Sequence, residues 1–331
     1  MLDYADWLKR LAEATGVPDR VAVPQGVVAA IGILYAALIV GSVIRLAAAP
    51  KMSAEQRKSR LGSLLVWWLL AVTVTACLVS GKWAAATFLA IAGLLGLREF
   101  LALTWDGRQN RAADALAYVA VGLQFFLVLS CNESVWTAAL PVGLFLIVAV
   151  RLTLTGATVG YLHDFGTLYW AAIVTGYLLA YAVAVVHLPC DSASGNSDWS
   201  GWFLYLLVLT EGNDIAQALW GRQFGRHRVT PTISPNKTWE GLLFGGATTI
   251  VAGAFIAPLL TPLDWNQALG AGAVIAVSGF FGDINMSAFK RDVGVKDSSR
   301  LLPGQGGILD RIDSLSFAAP AFYYYARWTL G

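Results

Sequence analysis

Residues 61–80 read LGSLLVWWLLAVTVTACLVS and residues 83–103 read WAAATFLAIAGLLGLREFLAL, with only Gly81 and Lys82 between them. A helix needs about 20 apolar residues to cross a bilayer core. Each run has that length, and so short a connection returns the chain straight across the membrane. Outward from this pair, comparable runs lie near 26–47, 113–131, 135–150, 166–187, 201–221, 240–260, 266–286 and 307–328, about ten candidates by the length criterion. The run at 135–150 is short enough to be re-entrant instead. The expected fold is therefore all-α: a polytopic transmembrane helical bundle of about nine to ten spans. The composition agrees. Hydrophobic residues make up 57% of the 331 and charged residues 13%, where a soluble protein carries about 25% charged. The mean hydropathy is +0.61. The partner this implies is the lipid bilayer. A net charge of +2 gives no argument for nucleic acid.

Lys and Arg in the short loops set an orientation. Lys51, Arg57, Lys58 and Arg60 follow the first run, Arg108 and Arg111 the third, and Arg151 the fifth. Arg222, Arg226, Arg228 and Lys237 follow the seventh, and Lys290, Arg291, Lys296 and Arg300 the ninth. The alternate loops hold almost none, Lys82 apart. The alternation puts the basic loops in the cytoplasm and the N-terminus outside, although Lys9, Arg10 and Arg20 weaken it. Asp3, Asp6, Glu13 and Asp19 argue against a cleavable signal. Tyr4, Trp7, Leu8 and Leu11 fall at helical spacing, as in an amphipathic surface helix; a frayed tail is the alternative. The three cysteines and three histidines are scattered and form no zinc or disulfide framework.

Ionisable residues inside spans are costly and mark functional sites. The seventh run carries Glu211, Asn213 and Asp214, the ninth Asp283 and Asn285, and the tenth opens with Asp310, Arg311 and Asp313. All fall toward the face of the basic loops. Glu211 and Asp214 share a helix face, as do Asp310 and Asp313. Clustered carboxylates repel unless a cation sits among them. Oxygen donors without His or Cys favour Mg²⁺, and the nearby Lys and Arg suit phosphate. That combination fits phosphoryl or nucleotidyl transfer. For any single acid, a helix-end salt bridge is the plain alternative. Residues 303–307, Pro-Gly-Gln-Gly-Gly, lead into Asp310 as a turn whose N–H groups can cradle phosphate or merely start a helix. Residues 234–241 combine a turn with Lys237 at a membrane entry, where Trp239 also suits an interfacial anchor.

Residues 287–313 read SAFKRDVGVKDSSRLLPGQGGILDRID. This resembles the signature of the phosphatidate cytidylyltransferases, or CDP-diacylglycerol synthases: S-x-x-K-R-x4-K-D, a spacer, then P-x-H-G-G-x-x-D-R-x-D. Ser287, Lys290, Arg291, Lys296, Asp297, Pro303, Gly306, Gly307, Asp310, Arg311 and Asp313 all fall on it. Residues 221–241 resemble the family's upstream I-S-P-x-K-T-x-E-G region. The departure is Gln305, where the family has His. The likeness covers the chain closely from about Asp214 onward and divides it into N-terminal transmembrane helices, 1–200, and a catalytic region, 201–331.

The resemblance implies transfer of CMP from CTP to phosphatidic acid at a bacterial inner membrane, with loops on the cytoplasmic face forming the site. It implies Asp283, Lys290, Asp310 and Arg311 as catalytic residues. Asp283 and Asp310 are the leading Mg²⁺ ligands, with Asp313 as a further or alternative one. Lys290, Arg291 and Arg311 contact phosphates. Ser234 and Lys237 close the nucleotide site, and Asp214 takes a second cation or the nucleotide. Ser287, Lys296, Gln305, Gly306 and Gly307 complete the substrate contacts. Family members resemble dimers, so a homodimer is expected. A CTP-using enzyme of another lipid or polyprenol, a copy weakened by Gln305, and a transporter are the competing readings.

Overall fold

The structure is a computed structural model describing residues 23–48, 53–104, 111–154, 156, 158–190 and 198–331. The expected surface helix around Tyr4, Trp7, Leu8 and Leu11, and the loop residues Lys51 and Arg108, lie outside these. The chain forms a helical membrane bundle, as its hydropathy pattern requires. The helices are α1 (Gln25–Ala48), α2 (Ala54–Ser80), α3 (Lys82–Thr104) and α4 (Arg111–Ser130), then α5 (Glu133–Leu154) and α6 (Tyr161–His187). There follow α7 (Trp199–Phe224), α8 (Trp239–Leu260), α9 (Trp265–Asp292) and α10 (Leu309–Leu330). α5 and α6 each contain one widened π turn, at Ala139–Leu144 and Ile173–Leu178. Pro141, which has no N–H to donate, sits in the first. Among the described residues the only strands are β1 (Arg228–Thr230) and β2 (Ser234–Thr238), an antiparallel hairpin between α7 and α8.

Eight of these helices are long and apolar enough to cross a membrane among the described residues. The other two, α7 and α10, have 26 and 22 residues but carry the acids and other polar groups. Both are wrapped by neighbours. α7 packs on α8 and α9, and α10 packs on α9, α6, α3 and α7. A helix facing protein rather than lipid can carry polar side chains if each finds a partner. Asn213 does so at the centre of α7. Its Nδ2 donates to Ala276 O at 3.3 Å, while its Oδ1 accepts from Gln217 Nε2 and Thr249 Oγ1, each at 3.0 Å. One buried amide thus ties α7, α8 and α9 together.

Several helix starts follow local sequence signals. Ser53 and Gln56 form a capping box on α2, Asp264 and Gln267 form another on α9, and Thr238 Oγ1 caps α8. α10 has no capping side chain from its own N-cap residue, Ile308.

Candidate active site

Gly282 on α9 lies so close to α10 that a Cβ there would stand 2.5 Å from the Asp313 carbonyl oxygen. That contact sets Asp283, the next residue, beside the first turns of α10. Asp214 on α7 joins them by accepting a 2.7 Å hydrogen bond from Ser314 Oγ. Asp214, Asp283 and Asp313 thereby share one electrostatic neighbourhood, together with Lys237, Lys290 and Arg311. Three helices deliver one acid each to the bundle end that also bears the hairpin and the 293–308 loop.

A cleft of about 530 Å³ opens here between α7, the hairpin, α8 and α9. Asp214, Arg222, Arg228, Ser234, Lys237 and Asp283 line it. Lys237 Nζ bridges to Asp283 Oδ2 at 2.6 Å and lies 5.0 Å from the Phe280 ring centre. Asp283 Oδ1 accepts from Ser287 Oγ at 3.2 Å, so Ser287 orients the acid. The hairpin is fixed at its base by Glu240, which accepts the backbone N–H groups of Arg226 and His227 at 3.0 and 3.2 Å and holds His227 Nδ1 at 2.6 Å. Arg291 donates to the carbonyls of Ile233 and Val295 at 3.2 and 3.0 Å and so joins α9 to both loops. Lys296 is exposed.

Asp310 stands differently from the other three acids. Its Oδ1 accepts Lys290 Nζ at 2.7 Å. Its Oδ2 accepts Ser298 N and Gly307 N, each at 2.9 Å, and lies 2.9 Å from Ser298 Oγ, whose one proton is shared between this oxygen and Glu99. With both oxygens engaged by protein donors, Asp310 holds the loop and the buried lysine. The Gly-rich turn is also occupied. Gly307 N goes to Asp310, and the next two N–H groups, of Ile308 and Leu309, go to Glu99 at 3.0 and 2.9 Å. The donors that the turn's sequence would offer to a phosphate point at carboxylates of the protein itself. Gly306 has φ +84°, and a Cβ at Gly307 would collide with Glu99 and Ser298, so this turn requires both glycines. Gln305 Nε2 donates to Ser63 O and Oγ on α2 at 3.0 and 3.1 Å, anchoring the turn to the N-terminal half.

Glu99, on α3, is the residue that the sequence reading passed over. It is 8% exposed and is the acid that caps α10 from another helix. A carboxylate inside an otherwise apolar run was the available signal.

The acid set fits a hard divalent cation. Asp214 Oδ1 is buried without a hydrogen-bond partner, and all the donors are oxygens. Among the described residues no group of three or more His, Cys, Asp and Glu side chains closes into a metal cage. Mg²⁺ commonly uses only one or two carboxylates and completes its shell with water and substrate phosphates.

A profile of the cytidylyltransferase family matches residues 62–329. The chain is 41% identical over 263 residues to the uncharacterized protein YnbB of Escherichia coli, covering 79% of this chain and 85% of that one. It is 37% identical to a phosphatidate cytidylyltransferase of Haemophilus influenzae, over 46% of this chain and 55% of the relative. It is 43% identical to one of Pseudomonas aeruginosa, over 37% and 46%. The chain thus matches about half the length of these two enzymes.

Proposed function

The chain belongs to the cytidylyltransferase family, and on that premise we propose that it moves CMP from CTP onto the phosphate of phosphatidic acid, releasing pyrophosphate. It is a nucleotidyltransferase and an integral membrane protein, so the transporter alternative falls. The observation that carries the proposal is the cleft at the end of α7 and α9, which combines Asp214 and Asp283 with Arg222, Arg228 and Lys237. Basic groups there suit a triphosphate, and the acids suit its cation.

In the proposed reaction a lipid phosphate oxygen attacks the α-phosphorus of CTP. A new P–O bond joins lipid phosphate to CMP. The bond to the bridging oxygen breaks, and its electron pair leaves with pyrophosphate. The attacking phosphate is already largely ionised at neutral pH, since its second pKa is about 6. No side chain has to take a proton, so a glutamine at position 305 in place of histidine is compatible with turnover. Lys237, Arg222 and Arg228 are the groups proposed to orient and neutralise the triphosphate. Lys290, held by Asp310, and Arg311, whose buried Nε has no partner, are proposed to meet the lipid phosphate. Asp214 and Asp283, with Asp313 behind them, would offer one or two carboxylates to Mg²⁺, which when bound would supply further neutralisation of the leaving pyrophosphate. The site is proposed to face the cytoplasm of a bacterial inner membrane, where a soluble nucleotide and a lipid headgroup can meet.

The test is purified protein in lipid nanodiscs with CTP, Mg²⁺ and phosphatidic acid, reading pyrophosphate release and CDP-lipid formation. Turnover that needs all three is expected. Asp283→Asn is expected to reduce it roughly a hundredfold, the scale on which loss of a transition-state charge contact registers. Undiminished turnover in that variant would remove Asp283 from the mechanism. Release of pyrophosphate with a polyprenyl phosphate but not with phosphatidic acid would replace the acceptor.

A further inference from the structure

Glu99 lies outside the cleft and outside the signature, yet it organises the loop that leads into Asp310. Its Oε1 accepts Ser299 Oγ at 2.7 Å and Ile308 N at 3.0 Å. Its Oε2 accepts Ser298 Oγ and Leu309 N, each at 2.9 Å. Four donors from one loop and one helix start thus converge on a single buried carboxylate. Ser298 then links it onward, because the same hydroxyl lies 2.9 Å from Asp310 Oδ2. Asp310 in turn holds Lys290 Nζ at 2.7 Å. The path from α3 to the Lys290 ammonium is continuous: Glu99, Ser298, Asp310, Lys290.

The surroundings leave this arrangement few alternatives. Residues 306 and 307 are glycines, and a side chain at 307 would enter the space of Glu99 and Ser298. The α10 start has no cap of its own, so Glu99 satisfies N–H groups that would otherwise be orphaned in a buried place. Phe100, the next residue on α3, stacks on Phe289 of α9 with ring centres 4.0 Å apart. This contact fixes the helix that carries Glu99 against the helix that carries Lys290.

We propose that Glu99 is a positioning residue for the transfer reaction, setting Lys290 through Ser298 and Asp310. This rests on the functional reading above, in which Lys290 meets a phosphate. The carboxylate is needed rather than any polar group of its size. An amide at 99 would turn an NH₂ toward N–H or O–H donors on one side. Aspartate keeps the charge and both acceptors on a shorter arm.

The experiment compares wild type, Glu99→Gln, Glu99→Asp and Glu133→Gln, each as full chain in nanodiscs. Glu133 pairs with Arg327 at the opposite end of the bundle and serves as the control for loss of a carboxylate that joins two helices away from the site. Two quantities are read: steady-state turnover, and the stoichiometry of labelled CTP bound with Mg²⁺ in the absence of lipid acceptor. Glu99→Gln should bind CTP stoichiometrically with KM for CTP changed by no more than about threefold, because Glu99 does not line the cleft. Its kcat should fall roughly a hundredfold, the cost of misplacing a reacting group by about 1 Å. Glu99→Asp should recover much of that loss, and Glu133→Gln should turn over like wild type. Wild-type kcat in Glu99→Gln overturns the proposal. So does a loss of kcat matched by an equal loss of CTP-binding sites, which would mean only misfolding. A wild-type chain that releases no pyrophosphate with any lipid phosphate overturns the functional reading and this inference with it, whereas an active wild type beside an unimpaired Glu99→Gln overturns this inference alone.

Discussion

Gln305 sits at the centre of the signature and never faces the cleft; its amide donates instead to Ser63 O and Oγ on α2. That bond is what position 305 requires: a donor that reaches a neighbouring helix. An imidazole N–H is such a donor and a leucine is not. Gln305→His is therefore expected to keep kcat within about threefold, whereas Gln305→Leu, which removes both bonds to Ser63, should reduce it roughly fivefold to tenfold by loosening the turn. Steady-state turnover on the two variants checks this, and a large gain in Gln305→His would instead show that histidine acts on the substrate. At this scale the sequence was readable where a residue works within its own segment and opaque where its partner is remote. Glu211 and Asp214, and Asp310 and Asp313, could be paired from helical spacing, and Asp283 placed on the same membrane face from its position in its run. The linkage of Asp310 to Ser298, and of Ser298 to Glu99, spans 12 and 199 positions, and no local pattern encodes it.

The elements were legible for the same reason that they are stable. Eight helices announce themselves by apolar length. α7 and α10 were found as spans although their acids make them poor ones, because the runs around those acids keep membrane length. What no run of residues reveals is which helices touch. The contact of α9 with α10 at Gly282 determines whether Asp283 reaches Asp313, and a methyl group there meets backbone, which cannot swing aside. Gly282→Ala should force the two helices apart, at a cost of about 1–3 kcal/mol for an overpacked site. The expected readout is a lowered thermal unfolding midpoint in detergent together with reduced turnover. An unchanged midpoint would mean that the contact of α9 with α10 at Gly282 has room for a methyl group.

Across the whole molecule, the two halves meet at the loop that joins α9 to α10. Ser63 holds Gln305 and Glu99 holds Ser298, Ser299 and the start of α10, so the helices before residue 200 form part of the wall around the 293–308 loop. The hairpin, this loop, the start of α2 and the end of α3 all lie at one end of the bundle. They are the segments whose Lys and Arg residues set the orientation. Positive charge is retained in the cytoplasm, and the proposed nucleotide is soluble there, so both arguments point the proposed site to that side. Cysteine labelling reads that side directly. Cys190 is exposed and free near the far end, where it follows α6. Arg226 is exposed at the base of the hairpin and contributes only its backbone N–H to Glu240, so a cysteine is tolerated there. In chains lacking Cys131, a membrane-impermeant maleimide should reach Cys190 in right-side-out vesicles. Arg226→Cys should be labelled only when the vesicles are inverted, where Cys190 is no longer reached. A second label gained in right-side-out vesicles would turn the cleft away from the cytosol and separate the enzyme from its nucleotide.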